Sequence, residues 1–217
     1  VYDNEFYGNT AGLLVFDLPG LSKRGGNVKA YDNFIHNNNL RNFAPSGGIV
    51  AVVPPGSGVV HLAMSDVEYF NNKIQNNNLT SFEVVSGLAI DGASAIDNMG
   101  PNYFPFPQNI YIHDNNMSKS AVIPQSTRNH EPLGQLLATA HDVLFLSDPV
   151  NHAEMQHIII DGFNSNMLEG HDTIPNPDNF CFDENENFLF IDFDMENQSN
   201  LSEWSPSIDV TPYQECL

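Results

Sequence analysis

The sequence predicts an all-β chain, a right-handed parallel β-helix or solenoid with long loops and a C-terminal cap. Two observations carry the prediction. A short Asp-Asn motif recurs along the chain at solenoid-like intervals. Asparagine also fills about one residue in eight of the 217, and its amide suits turns and left-handed backbone far better than helix interiors.

The motif copies are Tyr2-Asp3-Asn4-Glu5-Phe6, Tyr31-Asp32-Asn33-Phe34-Ile35, Phe70-Asn71-Asn72-Lys73-Ile74 and His113-Asp114-Asn115-Asn116-Met117. Ile160-Asp161-Gly162-Phe163-Asn164 reads as a weaker fifth copy. The aligned positions 4, 33, 72, 115 and 162 are separated by 29, 39, 43 and 47 residues. A single coil needs roughly 20–25 residues, so the surplus is expected to loop outward. Asp17 to Gly26, Asp97 to Gln108 and Met117 to Gly134 are the predicted loops.

Each strand's phase follows from the two-residue period of β structure. Val28, Ala30, Val67, Tyr69, Ile110 and Ile112 are expected to point inward, with the asparagine at the bend that follows. Phe6, Ile35, Ile74 and Met117 then re-enter the core. Stacked coils would set Asn4, Asn33, Asn72 and Asn115 above one another, each amide donating and accepting along the column. A β-sandwich or propeller also has short strands and many turns, but gives no reason for one amide to recur in register. Helix signals are thin, and Leu133 to Val143 is the best of them.

The final segment changes character. Phe180-Cys181-Phe182 and Phe188 to Phe193 are dense in aromatics, and a solenoid needs an atypical unit to cover its last open edge. Residues 175–217 are read as that cap and 1–174 as coils. Val1 falls directly before a motif copy, as though earlier coils preceded it.

The formal charge is -20, from 27 acids against 7 bases. Nucleic-acid binding needs a basic footprint and is excluded on that ground. The acids crowd into the second half, which reads as a solvated surface. Ca²⁺ is the cation such oxygen ligands would favour. No run is long enough to span a membrane. Cys181 and Cys216 lack metal-binding spacing and are expected to form a disulfide tying down the last strands.

The repeated Asp-Asn-x-Ile-x-Asn-Asn pattern resembles the repeats of the pectate-lyase-like β-helix superfamily. Asn42-Phe43-Ala44-Pro45, Val50 to Gly58, Gly12-Leu13-Leu14-Val15 and the Cys-containing tail resemble a family of exported bacterial β-helix-repeat proteins. Members of that family carry signal or lipoprotein peptides and have no assigned activity. Some accompany a second exported, cytochrome-like protein. The resemblance implies an extracytoplasmic location and, as one partner, an exported redox protein. It specifies fold much more than function, because one fold hosts many activities.

The leading functional expectation is a binding or scaffold module for surface or extracellular polysaccharide. Tyr2, Tyr31, Phe70 and His113 hold equivalent outward positions, with Lys29, Glu68 and Tyr111 beside them and Arg41 as a further basic contact. Aromatic bodies with polar edges suit sugars. The competing expectation is that a loop such as Asp97 to Gln108 covers this ladder. A polysaccharide lyase or epimerase is the enzymatic alternative; it would need one of Lys23, Arg24, Lys29, Arg41, Lys73, Lys119 or Arg128 as base. The Asn-Thr-Asp signature of polygalacturonases and the Asp-Pro-His-Asp motif of mannuronan epimerases are both absent. His113, His141 and His171 each precede an Asp, but no pair has metal-ligand spacing. An open coil end would also permit end-to-end association.

Overall fold

The computed structural model describes residues 1–118, 157–170, 174–184, 188–197, 199–200 and 202–214. Their strands form three sheets, and every pairing between strands is parallel. The first sheet holds β1 (Glu5–Tyr7), β4 (Phe34–His36), β7 (Lys73–Gln75) and β10 (Asn116–Met117). The second holds β2 (Ala11–Phe16), β5 (Ser57–Leu62), β8 (Thr80–Val85), β11 (Ile158–Ile160) and β13 (Phe190–Asp192). The third holds β3 (Val28–Tyr31), β6 (Val67–Phe70), β9 (Ile110–His113) and β12 (Phe180–Asp183). From β1 to β12 the described strands fall in first, second and third sheets in rotation, and each of β1 to β9 pairs with the strand three places later in that order.

The corners between sheets explain the asparagine content. Asp3, Asp32, Asn71 and Asp114 all have φ 54° at the corner from third to first sheet. Short Asx side chains tolerate this left-handed backbone at low cost. The residue after each is Asn4, Asn33, Asn72 or Asn115, and these stack as the sequence predicts. Their Nδ2 groups donate to the next Oδ1 at 3.1, 2.9 and 2.9 Å, and their backbone N–H groups donate to the same oxygens at 3.2, 3.1 and 3.0 Å. The last three are buried.

Two further columns went unread in the sequence. Gly8, Asn37 and Asn76 take positive φ where the first sheet ends. Asn9, Asn38 and Asn77 follow them and repeat the same donor pattern. Before the third sheet, Asn27, Asp66, Asn109 and Asn179 are left-handed, and Asn179 donates to Asn109, which donates to Asp66.

The predicted inward residues are where the period places them. Ala30, Val67, Tyr69, Ile110 and Ile112 share one core with Ile35, Ile74, Val59, Phe82, Ile158 and Phe182, and Val28, Phe6 and Met117 pack against it. Burying this many large apolar side chains stabilises by about 1.5–3 kcal/mol each before entropy is counted.

The fifth motif copy is a correction. Gly162 does not continue the asparagine column. It follows β11, which pairs in the second sheet with β8 and β13. The strand stacked on β9 is β12, and Glu184 just after it takes the next rung. Its carboxylate accepts from Asn115 Nδ2 at 2.7 Å and from Asn115 N–H at 2.8 Å. Burial pushes this carboxyl up to about 7 against the pull of those bonds. Gly162 instead permits a close approach: at φ 83°, a Cβ there would lie 2.5 Å from Asp192 Oδ1 and 2.6 Å from Asp194 N. Residues 175–217 thus contribute β12 and β13 to two of the sheets.

The three middle strands of the second sheet are buried on both faces: every residue of β5, β8 and β11 is buried. The outer face of that sheet is covered by Val53 over Ala11 and Val60, by Tyr103 over Leu62, Ala63 and Val85, and by Phe193 and Met195 near Ile159 and Ile191. Two short helices, α1 (Leu88–Asp91) and α2 (Ser94–Asp97), form where none was predicted. Leu88 and Ala95 join Phe106 in a small core beneath them. The predicted helix 133–143 and the loop beyond Ser118 lie outside the described residues. Among the described residues, no helix is long and apolar enough to cross a membrane.

A candidate binding face on the third sheet

The strands of the third sheet alternate inward and outward residues, and parallel register carries each outward residue onto its counterpart one winding away. Lys29 pairs with Glu68 and Glu68 with Tyr111; Tyr31 pairs with Phe70 and Phe70 with His113. Tyr2 bridges to Tyr31. The four predicted ladder residues therefore come together. Their ring centroids are 5.1, 4.8 and 5.3 Å apart, with planes within 10° of parallel.

This stacking revises how the ladder can act. Tyr31 and Phe70 each spend both faces on neighbouring rings, so no flat face is open to a sugar between the rungs. The outward strip consists of ring edges, the Tyr2 and Tyr31 hydroxyls, and the polar groups alongside. Tyr2 is 57% exposed, while Tyr31, Phe70 and His113 are half-buried.

The neighbouring column is charged and interlocked. Lys29 forms an ion pair with Glu68. His113 Nε2 lies 3.2 Å from the other Glu68 oxygen, and its Nδ1 lies 2.8 Å from Asp114. Lys29 first, and His113 next among its partners, hold the Glu68 carboxyl below its usual range. Tyr111 stacks on His113 at 3.9 Å; burial and the charges of Asp183, Asp114 and Glu68 raise its hydroxyl. A row of cation, carboxylate, imidazole and phenol thus runs beside the aromatic edges.

Around the first corner lies a second outward stack, absent from the sequence reading. Tyr7 stacks on His36 at 5.4 Å and Phe34 on His36 at 3.9 Å. Lys73 Nζ sits 4.7 Å over the Phe34 ring, and His36 Nε2 lies 2.9 Å from Glu5. The signal was available, since Tyr7 and His36 each follow their corner asparagine by three residues, as Tyr2 and Tyr31 each precede it by two.

Arg41 is not part of this face. It follows the Asn38 corner, and its carbonyl accepts from Thr10 beside the second sheet. The loop 97–108 seats Tyr103 against the second sheet rather than the ladder. Of the other predicted bases, Lys23 is exposed, Arg24 donates to Ser65 and lies 5.4 Å over Phe104, and Lys119 and Arg128 lie outside the described residues, as do His141 and His171. Among the described residues, no three His, Cys, Asp or Glu side chains gather closely enough to hold a metal ion. Cys181 is disulfide-bonded; Cys216 lies outside the described residues.

No protein-family model, curated protein or solved structure matches this chain. The resemblance to exported β-helix-repeat proteins rests on the motifs alone.

Proposed function

We propose that the chain is a right-handed parallel β-helix acting as an extracytoplasmic binding scaffold, with surface or extracellular polysaccharide as its ligand along the third sheet. Right-handed winding is the sense that parallel strand connections overwhelmingly adopt. The observation that carries the binding role is the in-register row of Tyr2, Tyr31, Phe70 and His113 beside Lys29, Glu68 and Tyr111. A linear polymer meets the same kind of group at each winding, as a repeating ligand requires. Hydroxyls, imidazole and an ion pair supply the donors and acceptors for sugar hydroxyls, and the ring edges supply apolar contact. The disulfide at Cys181 supports an oxidising compartment.

The test is affinity electrophoresis against a panel of soluble polysaccharides. Tyr31→Phe keeps the ring stack and removes one hydroxyl; loss of that hydrogen bond is expected to weaken binding about tenfold. Tyr31→Ala should weaken it further. Binding that ignores both changes, or no retardation by any polysaccharide, refutes the site.

A further inference from the structure

Glu83 is a fully buried acid with Ser57 as its side-chain hydrogen-bond partner. It sits on β8, in register with Val60 of β5 and Ile159 of β11. Its Oε1 lies 2.5 Å from Ser57 Oγ, while its Oε2 is buried with no hydrogen-bond partner among the described residues. Ser57 Oγ also lies 3.0 Å from the carbonyl oxygen of Pro54. A serine hydroxyl carries one hydrogen, and a carbonyl oxygen only accepts. If Ser57 donates to Pro54, its contact with an ionised Glu83 sets two acceptors against each other. A proton on Oε1 resolves the conflict: Glu83 donates to Ser57, and Ser57 donates to Pro54.

We infer that Glu83 is a neutral carboxylic acid whose proton latches the Pro54–Ser57 turn onto the second sheet, making attachment of that turn pH-dependent. The flanking groups oppose a charge. Val60 and Ile159 are apolar, and Val53 closes over Ala11 and Val60. Among the described residues no cation compensates Glu83, and burial pushes its carboxyl up to about 8, against the pull of Ser57. Farther along the same sheet, Asp161 accepts from the Ser86 and Phe163 N–H groups and faces the charge of Asp192. It does not contact Glu83. The turn itself is held by Gly56 N–H to Thr10 O at 3.0 Å and Leu79 N–H to Gly56 O at 2.9 Å, so opening it exposes those amides.

The sign follows from linkage. The opened turn returns Glu83 to its ordinary value of 4.5. Attachment is therefore strongest below that pH and weakens as pH rises toward about 8. Across this window the opened population should grow roughly tenfold per pH unit, then level off.

Hydrogen-exchange protection of the Gly56 and Leu79 amides, measured on the intact chain from pH 5 to 9, reads this directly. Wild type should lose protection with that slope; Glu83→Gln, which cannot ionise, should lose this component. If Glu83→Gln does not fold, carboxyl ¹³C NMR of glutamate-labelled wild type and Ser57→Ala replaces it. One strongly raised glutamate should change its titration when Ser57 is lost. Equal pH slopes in wild type and Glu83→Gln, or no raised glutamate responding to Ser57→Ala, overturn the latch.

Discussion

Asn72→Ala is expected to destabilise the chain by about 3–5 kcal/mol, the largest single effect foreseen here. The side chain makes four hydrogen bonds in the buried corner. Its Oδ1 accepts from Asn33 N–H and Asn33 Nδ2, and its Nδ2 donates to Ala30 O and Asn115 Oδ1. Alanine removes all four and admits no obvious replacement. Each buried group left without a partner costs about 1–3 kcal/mol. The Asn115 oxygen retains the bond from residue 72 N–H, and Asn33 Nδ2 retains Val1 O, which keeps the total below a simple sum. Thermal unfolding should show a midpoint lowered by about 10 °C, taking about 2–4 °C per kcal/mol for a domain of this size. Asn4→Ala, at the exposed end of the same column, should cost under about 1 kcal/mol. If the two variants melt alike, the buried column is not what holds this corner.

Gly58→Ala is expected to cost about 2–3 kcal/mol by overpacking. Gly58 lies on β5 between Gly12 and Ser81 of the neighbouring strands. An added Cβ would sit 2.6 Å from the Ser81 carbonyl oxygen, 2.7 Å from Ile74 Cγ2 and 3.2 Å from Asn77 Nδ2. The backbone oxygen is fixed by the sheet and cannot swing aside as a side-chain tip can. The same mutation should disturb the Asn38–Asn77 column, so the amide signals of Asn38 should shift with those of Ser81. Gly47→Ala is a control for small size alone: no atom lies within 4 Å of a Cβ there, though its φ of 88° still strains an alanine. Comparable unfolding midpoints for wild type and Gly58→Ala would discount the close-packing argument.

The rotation of the chain through three parallel sheets was legible because the sequence repeats where geometry is least forgiving. A left-handed Asx followed by Asn is needed at every corner from third to first sheet, and loop insertions between corners leave it intact. The outward ladder followed from the same register. The second column, Asn9, Asn38 and Asn77, carries the same 29- and 39-residue separations as Asn4, Asn33 and Asn72 and was there to be found. The false fifth copy had a physical cause. Ile158–Ile160 is buried throughout, as β5 and β8 are, and so lacks the alternation of the third-sheet strands β6 and β9 that precede the true corners. Its Asp-Gly-Phe-Asn tail then imitated a corner. Nor does periodicity reveal that rings in a column cover one another's faces. That depends on rotamers and spacing, which only the folded arrangement supplies. The Glu83 proton was equally invisible, since it depends on Ser57 and Pro54 meeting across strands.

The asparagine column also has a direction. Every rung donates toward the later windings, so the amide dipoles add instead of cancelling, much as peptide dipoles add along a helix. Such a column presents partial positive charge where its donors run out. Glu184 stands at that place and takes both Asn115 donors. A carboxylate there answers the accumulated polarity, which a neutral amide would only pass on. The break from Asn to Glu therefore marks the electrical terminus of the column, and a basic residue at the same position would set like against like.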